Sequence, residues 1–234
     1  MKKGKNRVGK WGLLLAAALF VGGIFMLFTG EQGAARAQSL GIGTSGNVKL
    51  LHDLNASWMM PGEYALEVKE VQGTAMEWVY RRGREPARVI LQLHGGAYTR
   101  FLKDNGVTYR RAAVQYAQVS GGAVLTVDYR VAPEYPFPAA LEDALLAYEW
   151  LLSQGYPPEN IIIAGDSAGG GLALATVLYL RDNDRPLPAA VITMSAWTDL
   201  NYRRWKPAYV GDHPANHPYI SPIYGDYHGF PPLL

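Results

Sequence analysis

The sequence predicts an α/β fold: a mostly parallel sheet with helices on both faces. Two observations carry this reading. Beyond residue 88, short apolar runs of strand length alternate with amphipathic runs of helix length, and strands separated by helices pair in parallel with the helices packed against them. One of these strand-to-helix junctions, Ile161-Ile162-Ile163-Ala164-Gly165-Asp166-Ser167-Ala168-Gly169-Gly170-Gly171, sets a serine among small residues at what must be a sharp turn.

With 234 residues and 49% hydrophobic content the chain can bury a sizeable core. It divides into a leader (1–37), a linker or cap segment (38–63) and a main domain (64–234). Lys2, Lys3, Lys5, Arg7 and Lys10 precede the uncharged residues 11–28, which is the pattern of a basic flank followed by an apolar segment bound for a membrane. That run is longer than the usual core of a signal peptide and near the lower bound for a spanning helix. Ala35-Arg36-Ala37 then offers a small-x-small cleavage site. A cleaved signal peptide and a retained transmembrane helix therefore both stay open, and in either case the domain is exported while the basic flank stays cytoplasmic.

Charge and cysteine content narrow the classes further. The whole chain carries +2, but residues 1–37 hold six basic residues and one acidic one, a balance of +5, so the remainder is about −3. A domain of that sign lacks the basic face that nucleic acid would require. Cysteine is absent, which excludes a disulfide framework, a thiolate metal site and a cysteine nucleophile.

Residues 39–62 read as irregular, punctuated by Gly41, Gly43, Gly46, Pro61 and Gly62, with a helical turn or two between residues 48 and 58. Alternation starts at Tyr64, with Leu66 and Val68 on one face and Glu67 and Lys69 on the other. A second alternating run holds Met76, Trp78 and Tyr80, and Gln72-Gly73 between them predicts a hairpin. Residues 88–94 form the third strand and 123–128 the fourth, joined by a helix around 109–119. A second helix over 138–153 has a stripe of Leu141, Leu145, Tyr148 and Leu152, with Glu142, Asp143 and Glu149 off it. The fifth strand leads into Ser167, a helix begins at about Ala168, and residues 189–195 form the sixth strand.

Gly165, Ser167 and Gly169 complete the G-x-S-x-G spacing of a nucleophile elbow, between the apolar strand and the helix that such a turn needs. A serine there lies at a helix N-terminus, where unpaired N–H groups favour developing negative charge. By itself the stretch also reads as a tight glycine-rich turn or a phosphate cradle. The second signal is His94-Gly95-Gly96-Ala97, directly after the third strand, where two glycines let backbone N–H groups approach a ligand. Acyl transfer needs such donors, and the N–H groups of Gly95, Gly96 and Ala168 are the candidates for an oxyanion hole around the catalytic Ser167.

These two motifs, together with Asp128-Tyr129-Arg130-Val131-Ala132-Pro133-Glu134, Phe137-Pro138-Ala139-Ala140-Leu141-Glu142-Asp143, Ser195-Ala196-Trp197-Thr198-Asp199-Leu200 and Tyr219-Ile220-Ser221-Pro222, resemble the hormone-sensitive-lipase group of α/β-hydrolases. The likeness spans residues 64–234. It implies a carboxylesterase or lipase that needs no cofactor and no metal and acts on short or medium acyl esters. It also implies a cap made from residues 39–62 and part of 199–225, here shortened between residues 199 and 209.

In that family the triad acid follows a seventh strand and the histidine an eighth. Phe230-Pro231-Pro232-Leu233-Leu234 resembles the approach to the seventh, so the sheet is expected to lack its last two strands and the chain to lack the matching acid and base. The sixth strand would then be a bare sheet edge, and the chain inactive and only marginally stable. His213, His217 and His228, with Asp199, are the residues that could stand in, although they read better as cap or surface groups. His94 reads as a residue that fixes its own turn, and Asp128, Arg130, Glu134 and Asp143 as loop-holding pairs. Three functions stay in play: an exported serine ester hydrolase, an amide or formamide hydrolase with the same site chemistry, and a non-catalytic remnant that binds apolar ligands or a partner.

Overall fold

The computed structural model describes residues 57–202 and 205–234. Its centre is a six-stranded sheet in the order β1-β2-β4-β3-β5-β6. The strands are β1 (Tyr64–Val71), β2 (Thr74–Arg81), β3 (Val89–Leu93), β4 (Ala123–Val127), β5 (Ile161–Asp166) and β6 (Ala190–Met194). The hairpin falls where predicted, with Val71 opposite Thr74 across Gln72-Gly73, and both turn residues have positive φ. β2 pairs antiparallel with β4, and from β4 through β3 and β5 to β6 every pairing is parallel.

Among the described residues three α-helices cover this sheet: α1 (Gly106–Ser120), α2 (Ala139–Ser153) and α3 (Ser167–Asp182). α1 packs Ala113, Val114 and Ala117 with Val79, Ile90, Val124 and Ala164 on one face. On the other, α2 and α3 bury Ala144, Tyr148, Leu151, Leu172 and Val177 with Leu91, Leu125, Ile163 and Val191. β3 thus sends Ile90 to one layer and Leu91 to the other, as the period of two requires for a strand covered on both sides.

Two expectations need correction, the cover over β1 and the bare edge at β6. Val68 is 65% exposed, because β1 is the outermost strand and its alternation does not guarantee a covering layer. Asp143, read as one of the loop-holding groups, is 3% exposed. Its carboxylate accepts the Arg130 backbone N–H at 2.7 Å and the Arg130 guanidinium Nε–H at 3.0 Å. Thr74 Oγ1 also donates to it at 3.3 Å, so one buried charge ties α2 to the loop after β4 and to β2. Finally, β6 is not a bare edge. The N–H groups of Val191 and Thr193 donate to the carbonyls of Pro232 and Leu234 at 2.9 and 2.8 Å, Leu234 N–H returns a bond to Val191 at 3.0 Å, and Leu233 bridges Val191 in parallel.

The predicted leader and most of the segment 38–63 lie outside the described residues. Among the described residues no helix is long and apolar enough to cross a membrane.

Candidate active site

Ser167 stands where β5 ends and α3 begins, with φ at +51°. That is a left-handed conformation a non-glycine residue adopts only when its surroundings enforce it. The glycines on either side do the enforcing. A Cβ on Gly165 would run into the carbonyl of Gly169, and one on Gly169 would run into the carbonyl oxygens of Leu93 and His94. The first turn of α3 therefore lies directly on the end of β3, and no other residue type allows that approach. Trp197 N–H donates to the Ser167 carbonyl at 2.8 Å, which fixes the elbow from the β6 side as well.

Facing the elbow is the turn that leaves β3. His94 is fully buried, stacked on Tyr129 with ring centroids 4.1 Å apart. Its Nδ1 lies 2.8 Å from the Gly95 carbonyl oxygen. Burial pushes its pKa down to about 4, so at neutral pH it is an uncharged ring that holds the turn, as expected. Tyr129 Oη donates to the His94 carbonyl at 2.5 Å.

The backbone donors of this turn differ from the sequence reading in one respect. Gly95 N–H points inward, to Tyr109 Oη at 2.7 Å and Asp166 Oδ1 at 3.2 Å. It is already committed and is not a free donor for a ligand. The N–H groups of Gly96 and Ala97 donate to nothing among the described residues. Ala168 N–H belongs to the first turn of α3, where helical acceptors are lacking. Among the described residues, the donors left open include those of Gly96 and Ala97, and Ala168 N–H in the first turn of α3 stands beside them as a candidate. Gly96 has φ +129°, and Ala97 and Tyr98 follow at +55° and +58°, so the strained stretch is longer than the glycine pair. The glycine pair locates this turn in the sequence, but its N–H directions follow from acceptors on α1 and β5 that no local pattern reveals.

None of the candidate stand-in groups is brought to Ser167. Its Oγ has no hydrogen-bond partner among the described residues. His213 and His217 pack on Phe137 at 5.0 and 5.6 Å, and His217 Nδ1 accepts Tyr219 N–H at 3.1 Å. His228 is exposed beside Asp226, and Asp199 accepts the N–H of Asn201 at 2.9 Å within its own turn. Asp128 accepts Leu102 N–H at 2.7 Å, and burial raises its pKa. It and the Arg130–Asp143 pair hold loops, while Glu134 is exposed.

An elbow serine at a helix N-terminus, opposite a turn with free N–H groups, is an arrangement suited to acyl transfer once a base reaches the hydroxyl. Residues 90–208 match a family model described as alpha/beta hydrolase fold. The chain belongs to the α/β-hydrolase family. This α/β-hydrolase is 40% identical over 188 residues to an acetyl-hydrolase of Streptomyces hygroscopicus, an alignment covering 72% of this chain and 62% of that one. It is 33% identical over 168 residues to an esterase of Acinetobacter venetianus, covering 63% and 54%. Among solved structures, an esterase from the bacterial hormone-sensitive lipase family superposes with a TM-score of 0.69 at 35% identity, over 79% of this chain and 68% of that one. The protein is thus an α/β-hydrolase similar to the hormone-sensitive-lipase group, and it spans 62% and 54% of the length of the two curated relatives.

Proposed function

We propose that the protein is an exported serine hydrolase of short or medium acyl esters. The observation that carries this is the strained Ser167 at the start of α3, opposite the unpaired N–H groups of Gly96 and Ala97. In this reading Ser167 Oγ attacks the ester carbonyl carbon, and a histidine base takes the hydroxyl proton and passes it to the departing alcohol. The developing oxyanion is held by the N–H groups of Gly96, Ala97 and Ala168. Water then attacks the acyl-enzyme, releasing the acid and restoring the serine. The names of the relatives, acetyl-hydrolase and esterase, support the ester as the bond attacked.

A fluorophosphonate is the direct test, because it reacts only with an activated serine. Mass spectrometry should find the adduct on the peptide that contains Ser167, in a preparation that hydrolyses p-nitrophenyl butyrate faster than the matching anilide. Ester turnover with no adduct at Ser167 would remove the assignment, and faster anilide cleavage would move it to the amide class. One observation favours a second reading: Ser167 Oγ has no base beside it among the described residues. A non-catalytic binder of apolar esters would show neither adduct nor turnover, yet would retain the ester saturably.

The leader supports export, with residues 1–37 as signal peptide or membrane anchor, and residues 38–63 with part of 199–225 as a cap. Fractionation of producing cells should place the domain in the membrane or beyond it. Recovery in the cytosol would overturn this part.

A further inference from the structure

We infer that Asp166 and Tyr109 are positioning residues for the oxyanion turn, joined to it by one directional hydrogen-bond relay. The inference rests on the hydrolase reading above and extends it to residues that do not touch the substrate. Gly95 N–H donates to Tyr109 Oη at 2.7 Å, and Tyr109 Oη–H donates onward to Asp166 Oδ2 at 3.2 Å. Oδ1 of the same carboxylate takes the Gly95 N–H directly at 3.2 Å. Asp166 is the residue before Ser167, and Gly95 is the residue before the free donor Gly96. A single side chain therefore holds the two halves of the site, the elbow after β5 and the turn after β3, at a set distance.

Fixing Gly95 N–H inward fixes the peptide planes beyond it, which leaves the next two N–H groups turned away from the relay. Gly95 is also the residue type this requires, since a Cβ there would lie 2.5 Å from Asp166 Oδ2. The relay is directional and must end on a group that only accepts. An asparagine at 166 would present one N–H₂ face, either to Gly95 N–H or to the Tyr109 hydroxyl, and would orphan one buried donor.

Burial raises the Asp166 pKa to about 6, and the hydrogen bonds from Tyr109 and Gly95 pull in the opposite direction. The other titratable groups around it are His94, Tyr109, Tyr116 and Tyr129. Burial keeps His94 neutral down to about pH 4 and pushes all three tyrosines far above neutral. Within this cluster only Asp166 changes charge between pH 5 and 8. As pH falls through about 6 the carboxylate gains a proton and one acceptor is lost, so the turn should loosen on the acid side and not the alkaline side.

The test uses the full chain as wild type, Asp166→Asn, Tyr109→Phe and the double variant. Each single change should lower kcat by about ten- to a hundredfold, the scale of one buried donor left unpaired, with KM within about threefold. The double variant should be no worse than the poorer single one, because both break the same relay. Variants within twofold of wild type, or losses that multiply, would overturn the inference. An activity-independent readout separates this from the hydrolase reading itself. In protein labelled with ¹⁵N-glycine, the Gly95 amide resonance should titrate with a midpoint near 6 and lose that step in Asp166→Asn. A flat wild-type titration would overturn the relay. A titrating amide in a protein without Ser167-dependent turnover would instead sink the hydrolase reading and leave the relay standing.

Discussion

In a form of the protein in which a histidine base reaches Ser167, Ser167→Ala should lower kcat for p-nitrophenyl butyrate by roughly 10⁴–10⁶-fold, since removing the nucleophile leaves only donors and binding to act on the ester. KM should change little, because the oxyanion donors proposed for Gly96, Ala97 and Ala168 are backbone groups that the substitution does not remove. Stability should also hold, as alanine at φ +51° meets the same strain as serine, and Ser167 Oγ makes no hydrogen bond among the described residues. Steady-state kinetics with a matched unfolding curve measure both. An alanine variant that retained a tenth of wild-type turnover would move the chemistry elsewhere.

The largest effect on stability should come from Gly169→Ala. The added methyl meets the carbonyl oxygens of Leu93 and His94, which belong to the end of the central strand and to the turn after it and cannot swing away as a flexible side chain would. α3 must lift off β3, and overpacking of this kind costs about 3 kcal/mol or more. For a domain of this size that lowers the thermal midpoint by roughly 6–12 °C. The lifted helix carries Ser167 with it, so activity should fall further than the unfolded fraction explains. Gly62→Ala is the control, since nothing lies within 4 Å of a Cβ there and its midpoint should stay near wild type. Equal midpoints for the two variants would show that the helix and strand do not touch as described.

The features legible in the sequence were local ones. Ser167 and its flanking glycines occupy consecutive positions, and the steric reason for each glycine is met within a few residues or directly across one strand pair. Parallel pairing from β3 onward is equally open to reading, because helices alternate with the strands there. The register of the oxyanion turn is not. Whether Gly95 N–H faces a ligand or the interior depends on Tyr109, 14 residues on, and on Asp166, 71 residues on, and neither distance leaves a trace in the local pattern. Asp143 is legible in part, as a loop-holding group paired with Arg130. Helical periodicity sets it off the apolar stripe of α2, and only the fold shows that its carboxylate is buried and reaches Thr74 as well. Tyr109 carries no signal at all, being one tyrosine on an amphipathic helix, and Asp166 fills a position of the G-x-S-x-G spacing that specifies no residue type.

Tyr98 and Tyr209 lie face to face, with ring centroids 3.7 Å apart and planes within 4° of parallel, both fully buried. Tyr98 follows Ala97 directly, and Tyr209 belongs to the short turn Ala208–Val210 within the segment read as part of a cap. In the proposed reading, in which residues 208–210 belong to the cap, one pair of rings joins that cap to the oxyanion turn. Any movement that draws residues 208–210 outward must first slide one phenol off the other, and the pull arrives one residue from Ala97. An engineer who enlarges the opening to admit bulkier esters should therefore expect slower chemistry as a companion to broader scope, and selection on this scaffold faces the same linkage.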